Sequence, residues 1–150
     1  MGKSGEKMFI GQFEHSIDEK NRIAIPSKFR GLFQGEVIIT KGLDGCLFLF
    51  PKTKWEQMAT GIGQLPTTKS SARLYARLLL ASASREKFDN QGRIVIPVFL
   101  RKYAKLKDKV IVTGLYDRVE LWDKKAWEQI EEKVDKDAGR IAEELSELGI

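Results

Sequence analysis

The sequence contains only one cysteine, Cys46, and one histidine, His15. One cysteine cannot form a disulfide within the chain, and these two residues alone cannot build a zinc cage. Hydrophobic runs are also short, and none approaches the roughly 18 consecutive apolar residues of a membrane span. We therefore predict a cytoplasmic chain with no metal, no cofactor and no membrane partner.

Catalytic and nucleotide-binding patterns are missing as well. The chain has no Gly-x-Gly-x-x-Gly, no Gly-x-x-x-x-Gly-Lys-Ser/Thr and no Gly-x-Ser-x-Gly segment. Asp18 and Asp89 occupy matching places in the chain, but neither precedes the Thr/Ser-Gly of an aspartic protease. His15 lies in an alternating strand pattern, and Cys46 opens an apolar one, which is typical of packed residues. We predict that the protein is not an enzyme and has no small-molecule substrate.

Charge is plentiful but unevenly distributed. The chain has 26 Lys+Arg and 21 Asp+Glu, and residues 1–116 hold 20 of the basic but only 10 of the acidic side chains. A basic body favours a polyanionic partner, with nucleic acid ahead of a membrane surface. Residues 1–7 are polar, and we predict a flexible leader there.

An internal duplication organises the rest of the chain. Residues 18–26 (DEKNRIAIP) recur as residues 89–97 (DNQGRIVIP), 71 positions later. Residues 55–57 (WEQ) recur as residues 127–129, 72 positions later. This period exceeds the roughly 20–50 residues of common solenoid repeats. We therefore infer two copies of one small module, packed on each other as a pseudo-dimer within the chain.

Each copy has the pattern of a strand, a turn, a second strand, a short helix and a hairpin. Apolar and polar residues alternate on both sides of the turn, and a proline then opens the helix. The predicted helices span 27–33 and 98–104, and the predicted hairpin strands span 36–40 with 46–50 and 109–113 with 118–122.

Two further helices are predicted outside the modules. A linker helix follows Pro66, and residues 60–66 before it have the composition of a loop. Asp123 can cap a C-terminal helix that is acidic on one face. Its apolar stripe, which favours packing on its own domain over a subunit contact, consists of Trp127, Ile130, Val134, Ile141, Leu145 and Leu148.

The duplicated turn, Asp-x-x-(Asn/Gly)-Arg at residues 18–22 and 89–93, is the candidate functional element. Its aspartate can accept backbone N–H bonds across the turn, and its fourth residue can adopt positive φ. Its arginine can fork onto phosphate or a guanine edge, or it can simply pair with the turn's own aspartate. The turn residues in question are Asp18, Asn21, Arg22, Asp89, Gly92 and Arg93. Nearby cations that could contact phosphate are Lys20, Arg85 and Lys87.

These motifs resemble the MraZ family of bacterial proteins. The resemblance rests on the two turns, each followed by Ile-x-Ile-Pro, and on residues 42–51 (GLDGCLFLFP), and it extends over residues 9–130. It implies an α+β fold of two tandem AbrB-like swapped-hairpin modules, which form a pseudo-dimeric β-barrel with linker and C-terminal helices. The expected divisions are leader 1–7, first module 8–58, loop and linker helix 59–81, second module 82–125 and acidic helix 126–150.

The resemblance also implies a function. Members of the family are sequence-specific transcriptional regulators that usually repress their own operon, the division and cell-wall gene cluster. They bind short repeated promoter boxes on double-stranded DNA, as ring-shaped homo-oligomers in the cytoplasm and nucleoid. The family's DNA-contacting arginine falls on Arg22 and Arg93, and Lys20 fits the first motif. Asn21 and Gln91 depart from the family pattern, so the two copies are expected to contribute unequally to the DNA contact.

Two other functions are compatible with the composition. The modules could serve only to assemble a ring, with DNA affinity a by-product of the basic body. RNA binding is the other, although the strands lack the clustered aromatic residues of RNA-stacking sheets. A preference for promoter DNA over scrambled DNA would separate a regulator from a ring-forming protein.

Overall fold

The computed structural model describes residues 8–150, so the predicted leader 1–7 lies outside the described residues. A short 3-10 helix follows the last α-helix. The main elements are β1 (Phe9–Ser16), β2 (Arg22–Ala24), α1 (Ser27–Phe33), β3 (Glu36–Lys41), β4 (Leu47–Phe50), α2 (Lys52–Gly63), α3 (Ser70–Leu79), β5 (Ser84–Lys87), β6 (Arg93–Val95), α4 (Val98–Tyr103), β7 (Lys109–Tyr116), β8 (Val119–Asp123) and α5 (Lys124–Glu144).

The order of elements repeats as the duplication predicts. The series strand, strand, short helix, hairpin occurs as β1-β2-α1-β3-β4 and again as β5-β6-α4-β7-β8. Pro26 and Pro97 each stand just before a short helix, where the missing backbone N–H costs no helical hydrogen bond. The prediction of a mixed α+β chain with two repeats is confirmed.

The two repeats share one antiparallel sheet by exchanging their first strands. The sheet order is β1-β7-β8-β4-β3-β5. The first strand of repeat one, β1, pairs with β7 along its whole length, from Phe9 opposite Tyr116 to Ser16 opposite Lys109. The first strand of repeat two, β5, pairs reciprocally with β3. Each hairpin therefore completes its sheet with a strand from the other repeat.

A separate two-stranded ribbon is formed by β2 and β6. The pairings of residues 8–150 thus make one open six-stranded sheet and one ribbon, without the ring of pairings that a closed barrel needs. The predicted barrel stays a prediction.

The six-stranded sheet carries a hydrophobic core on each face. On one face, alternate residues of the hairpins pack with Ile23 and Ile94 of the ribbon and with Phe29 of α1 and Leu100 of α4. On the other face, α2, α3 and α5 supply side chains such as Trp55, Met58, Ala76, Trp127 and Ile130. The ribbon therefore lies on the side of the sheet opposite the long helices.

One helix was not predicted, and one predicted loop is partly wrong. Residues 60–66 have a loop-like composition, yet α2 runs through Gly63. Trp55, Met58 and Ile62 of this helix pack on the second core, and that burial outweighs the low helix propensity of its glycines. The linker helix after Pro66 is present as α3.

The C-terminal helix α5 begins where predicted, with the Asp123 side chain accepting a hydrogen bond from the Lys125 backbone N–H. Its apolar stripe packs only near this end. Trp127 and Ile130 reach the second core, whereas Val134 is 48% exposed. The prediction that the whole stripe packs on its own domain is wrong beyond Ile130, because no element of residues 8–150 extends far enough to cover it.

Candidate nucleic-acid interface

The first turn is built around the carboxylate of Asp18. One carboxylate oxygen accepts hydrogen bonds from the backbone N–H groups of Lys20 and Arg22, both at 2.9 Å. The other accepts from Nε of Arg22, also at 2.9 Å. The backbone closes the turn through Asn21 N to Asp18 O at 3.0 Å. Asn21 has a φ of 62°, a conformation that asparagine tolerates better than most residues.

The second turn repeats this geometry. The Asp89 carboxylate accepts from the backbone N–H groups of Gln91 at 2.8 Å and Arg93 at 2.9 Å. Its second oxygen accepts from Nε of Arg93 at 2.9 Å. Gly92, with a φ of 74°, stands where the first turn has Asn21. Two different sequences therefore build the same scaffold around an aspartate and an arginine.

The turn geometry lowers the pKa of both aspartates. The backbone N–H of Arg22 is the largest cause that lowers the pKa of Asp18, and the Arg22 guanidinium and the Lys20 N–H lower it further. Arg93 and Gln91 lower the pKa of Asp89 in the same way. Both carboxylates therefore remain charged, and paired with their arginines, at a more acidic pH than an ordinary aspartate would.

The aspartate holds each arginine by only one of its three nitrogens. The bond uses Nε, and among residues 8–150 neither Nη1 nor Nη2 of Arg22 or Arg93 forms a hydrogen bond. The two side chains are 32% and 28% exposed. A guanidinium held at Nε can still present its terminal nitrogens to a phosphate or a base. Each arginine can therefore pair with its own aspartate and contact DNA at the same time.

Strand pairing places the two arginines on one face of the ribbon. Arg22 is opposite Val95, and Arg93 is opposite Ala24, with Ile23 opposite Ile94 between them. Because side chains alternate across a strand, the buried isoleucines face the core and the arginines share the outer face. The arginines are offset by two residues, about 7 Å along the strand direction.

Each turn is also held by the opposite repeat. The Asn21 carbonyl accepts a hydrogen bond from Ile96 N at 2.7 Å, and the Gly92 carbonyl accepts one from Ile25 N at 3.1 Å. Nη1 of Arg101 adds bonds to Asn21 Oδ1 at 2.8 Å and to the Asp18 carbonyl at 3.0 Å. The two turns and the ribbon thus form one unit to which both repeats contribute.

Arg101 was not among the predicted site residues, and neither was its counterpart Arg30. Arg30 precedes Arg101 by the same 71 positions that separate the two turns. This matching position in the two repeats is the sequence feature that could have identified Arg30 and Arg101 as site residues.

The other side chains predicted to contact DNA differ in exposure and in their partners within the protein. Lys20 and Gln91 are exposed at the two turns, and Lys87 is exposed on β5. Arg85 is also on β5, but its Nε lies 3.1 Å from Glu36 Oε1 on β3. Among residues 8–150, Arg85 therefore pairs with Glu36 of the sheet and forms no hydrogen bond or ion pair with either turn.

Other candidate chemistries find little support in the described residues. Burial, together with the Glu120 carboxylate, raises the pKa of the Cys46 thiol well above its usual range, so the thiol stays protonated. Burial lowers the pKa of His15. Within residues 8–150, no group of three or more His, Cys, Asp or Glu side chains could hold a metal ion. No helix of that part of the chain is both long and apolar enough to cross a membrane.

Comparison with known proteins identifies relatives along the whole described chain. The model of the family described as "MraZ protein, putative antitoxin-like" matches twice, at residues 8–78 and 79–146. The transcriptional regulator MraZ of Pediococcus pentosaceus is 42% identical over 143 residues, which cover 95% of this chain and 100% of the relative. Those of Thermoanaerobacter pseudethanolicus and Clostridium acetobutylicum are 44% and 43% identical, each over 95% of this chain and 100% of the relative. The chain therefore belongs to the MraZ family.

Proposed function

We propose that this chain regulates transcription by binding double-stranded promoter DNA through its two Asp-to-Arg turns. The observation that carries the proposal is the position of Arg22 and Arg93 on one outer face of the ribbon, each with terminal nitrogens that form no hydrogen bond within residues 8–150. The printed name of the relatives, transcriptional regulator MraZ, supports the regulatory role.

The ribbon has a shape that suits the DNA major groove. That groove is about 12 Å wide and admits a two-stranded β-ribbon. There the fork of Nη1 and Nη2 on Arg22 or Arg93 can donate to O6 and N7 of a guanine. The offset of about 7 Å between the arginines matches about two base steps of 3.4 Å. Arg22 and Arg93 are therefore assigned to base reading.

Neighbouring residues would position the ribbon on the DNA backbone. Lys20 and Lys87 are exposed and can contact phosphates, which fixes register without reading sequence. Arg85 is held to Glu36 at Nε alone, and its side chain is 58% exposed, so its terminal nitrogens can join them. Asn21 and Gln91 replace residues of the family pattern, so the two turns are assigned unequal shares of the contact.

The resemblance to the MraZ family suggests which genes the protein regulates and in which assembly it does so. The protein acts as a repressor of its own operon, the division and cell-wall gene cluster, and binds short repeated boxes in the promoter. Several copies form a ring with a pseudo-dimeric β-barrel in each subunit, so that weak single contacts add through avidity. It acts in the cytoplasm on the nucleoid and needs neither a cofactor nor a small-molecule substrate.

Fluorescence anisotropy tests the proposal directly. The protein is titrated with a duplex from upstream of its own gene and with a scrambled duplex at near-physiological salt. We expect at least about a tenfold preference for the upstream duplex, which the double variant Arg22→Ala/Arg93→Ala abolishes, since a bidentate base contact is worth about 1–3 kcal/mol. Lys28→Ala, which removes an exposed cation from α1, should retain the preference.

Two results would contradict the proposal. Equal binding to both duplexes would indicate that DNA affinity comes from the basic body alone and would favour a protein that only assembles rings. Tighter binding to single-stranded RNA than to either duplex would favour RNA as the partner.

A further inference from the structure

Two arginines outside the turns connect each repeat to the turn of the other. Arg101 lies on α4 of the second repeat, yet its guanidinium contacts the first turn at Asn21 Oδ1 and the Asp18 carbonyl. The same side chain donates from Nε to the Leu106 carbonyl at 3.1 Å and from Nη2 to the Lys107 carbonyl at 3.4 Å. One half-buried side chain therefore ties the first turn to the segment between α4 and β7.

The matching arginine of the first repeat lies against the second turn. Arg30 on α1 is so close to Gly92 that a Cβ at that position would overlap its guanidinium. Each turn therefore has an arginine of the opposite repeat beside its fourth residue, but the two arginines are accommodated differently. Asn21 offers a side-chain oxygen to Arg101, whereas Gly92 offers room for Arg30.

We propose that Arg101 and Arg30 are positioning residues that set the geometry of the opposite repeat's DNA-reading turn. This inference rests on the proposed function for its biological meaning. It assigns Asn21 the role of anchoring the first turn to the second repeat. It also explains how an asparagine can replace glycine there without loss of order.

The hydrogen bonds of Arg101 separate it from a DNA-contacting arginine. All three of its guanidinium nitrogens already donate to the protein. Arg22 and Arg93, by contrast, engage only Nε. Four of the five N–H groups of Arg101 are thus occupied, whereas among residues 8–150 four of the five on Arg22 and on Arg93 are unbonded and available to a phosphate or base.

Amide hydrogen exchange on the DNA-free protein tests this inference. In Arg101→Met, we expect the amides of Asn21 and Arg22 to exchange roughly 10- to 100-fold faster, the factor that a hydrogen bond to a charged group is worth. The amides of Gly92 and Arg93 in the second turn should not change and serve as an internal control. A loss confined to one turn distinguishes positioning from general destabilisation.

Lys102→Met is the matched control, because it removes one exposed cation from the same helix. Its two turns should exchange as in the unmodified protein. Asn21→Gly removes the side-chain acceptor, permits the positive φ and leaves the Asp18 carbonyl in place, so Arg101→Met should add less to it than it does to the unmodified protein. Unchanged exchange at Asn21 and Arg22 in Arg101→Met, or an equal effect in Lys102→Met, would overturn the inference.

DNA binding supplies an independent readout. Arg101→Met should lower the preference for upstream over scrambled DNA by about tenfold, because a misplaced Arg22 loses its base contact. The salt slope of binding should not change, whereas loss of a phosphate contact would lower it by about 0.9. A lower slope with the preference retained would overturn the inference. Absence of any preference in the unmodified protein would reject the proposed function alone, since hydrogen exchange needs no DNA.

Discussion

Replacing Gly92 with alanine perturbs the second turn in two separable ways. The residue has a φ of 74°, where a Cβ costs about 1–2 kcal/mol. The new Cβ would also overlap the Arg30 guanidinium, the far end of a flexible side chain, and moving that side chain to another position costs about 0.5–1.5 kcal/mol. We therefore expect Gly92→Ala to lower the free energy of unfolding by about 1.5–3.5 kcal/mol.

Urea unfolding measures this loss, and Gly45→Ala is its control. Gly45 has a φ of 88° but open space around its Cβ position, so that variant carries the backbone cost alone. With an m-value of about 2 kcal/mol/M, the midpoint should fall by about 0.75–1.75 M in Gly92→Ala and about 0.5–1 M in Gly45→Ala. Removing Arg30 from Gly92→Ala should cost less than the two single changes added together. Equal midpoints for the two glycine variants would refute the role of Arg30.

Three further predictions concern the turns and the C-terminal helix. Each of Arg22→Ala and Arg93→Ala should weaken binding to the upstream duplex by about 1–3 kcal/mol in an anisotropy titration, and an unchanged affinity would count against base reading. Because the folded-state pKa values of Asp18 and Asp89 are lowered, their stabilisation is complete above the unfolded pKa of about 3.9 and is lost as pH falls below it. Urea midpoints measured from pH 7 to pH 3 should therefore fall less steeply in Asp18→Asn/Asp89→Asn, and an identical profile would contradict the turn geometry. Deleting residues 135–150, none of which is buried, should change the free energy of unfolding by less than about 0.5 kcal/mol, and a larger loss would indicate packing that involves this segment.

Local structure was readable from the sequence because its signals are local. The helix at 27–33 is confirmed, since Pro26 marks its start and apolar Phe29 and Phe33 face the core. Both hairpins follow from pairs of β-rich runs separated by a Gly-containing turn, and the structure pairs them as β3 with β4 and β7 with β8. The prediction that the two copies pack on each other is also confirmed.

Contacts between the repeats were beyond the reach of these patterns. The alternation of apolar and polar residues in β1 predicts a strand but not its partner. Both copies carry equivalent hairpins, and only the structure shows that β1 pairs with β7 of the other repeat. In the sequence, Arg101 is indistinguishable from the other surface cations, because its role depends on the position of α4 beside the first turn. The helix α2 was missed because Gly61 and Gly63 favour a loop locally, while the burial of Ile62 is decided by the sheet.

Single-base substitution of the upstream duplex tests whether the two turns read DNA bases as one unit. Affinities of the unmodified protein, Arg22→Ala and Arg93→Ala are measured for every substituted duplex at one salt concentration. We predict that each variant loses discrimination at its own base position, with the two positions about two base steps apart, and retains it elsewhere. A uniform loss of affinity across all duplexes would show that the arginines contact only phosphate and would contradict base reading by the turns.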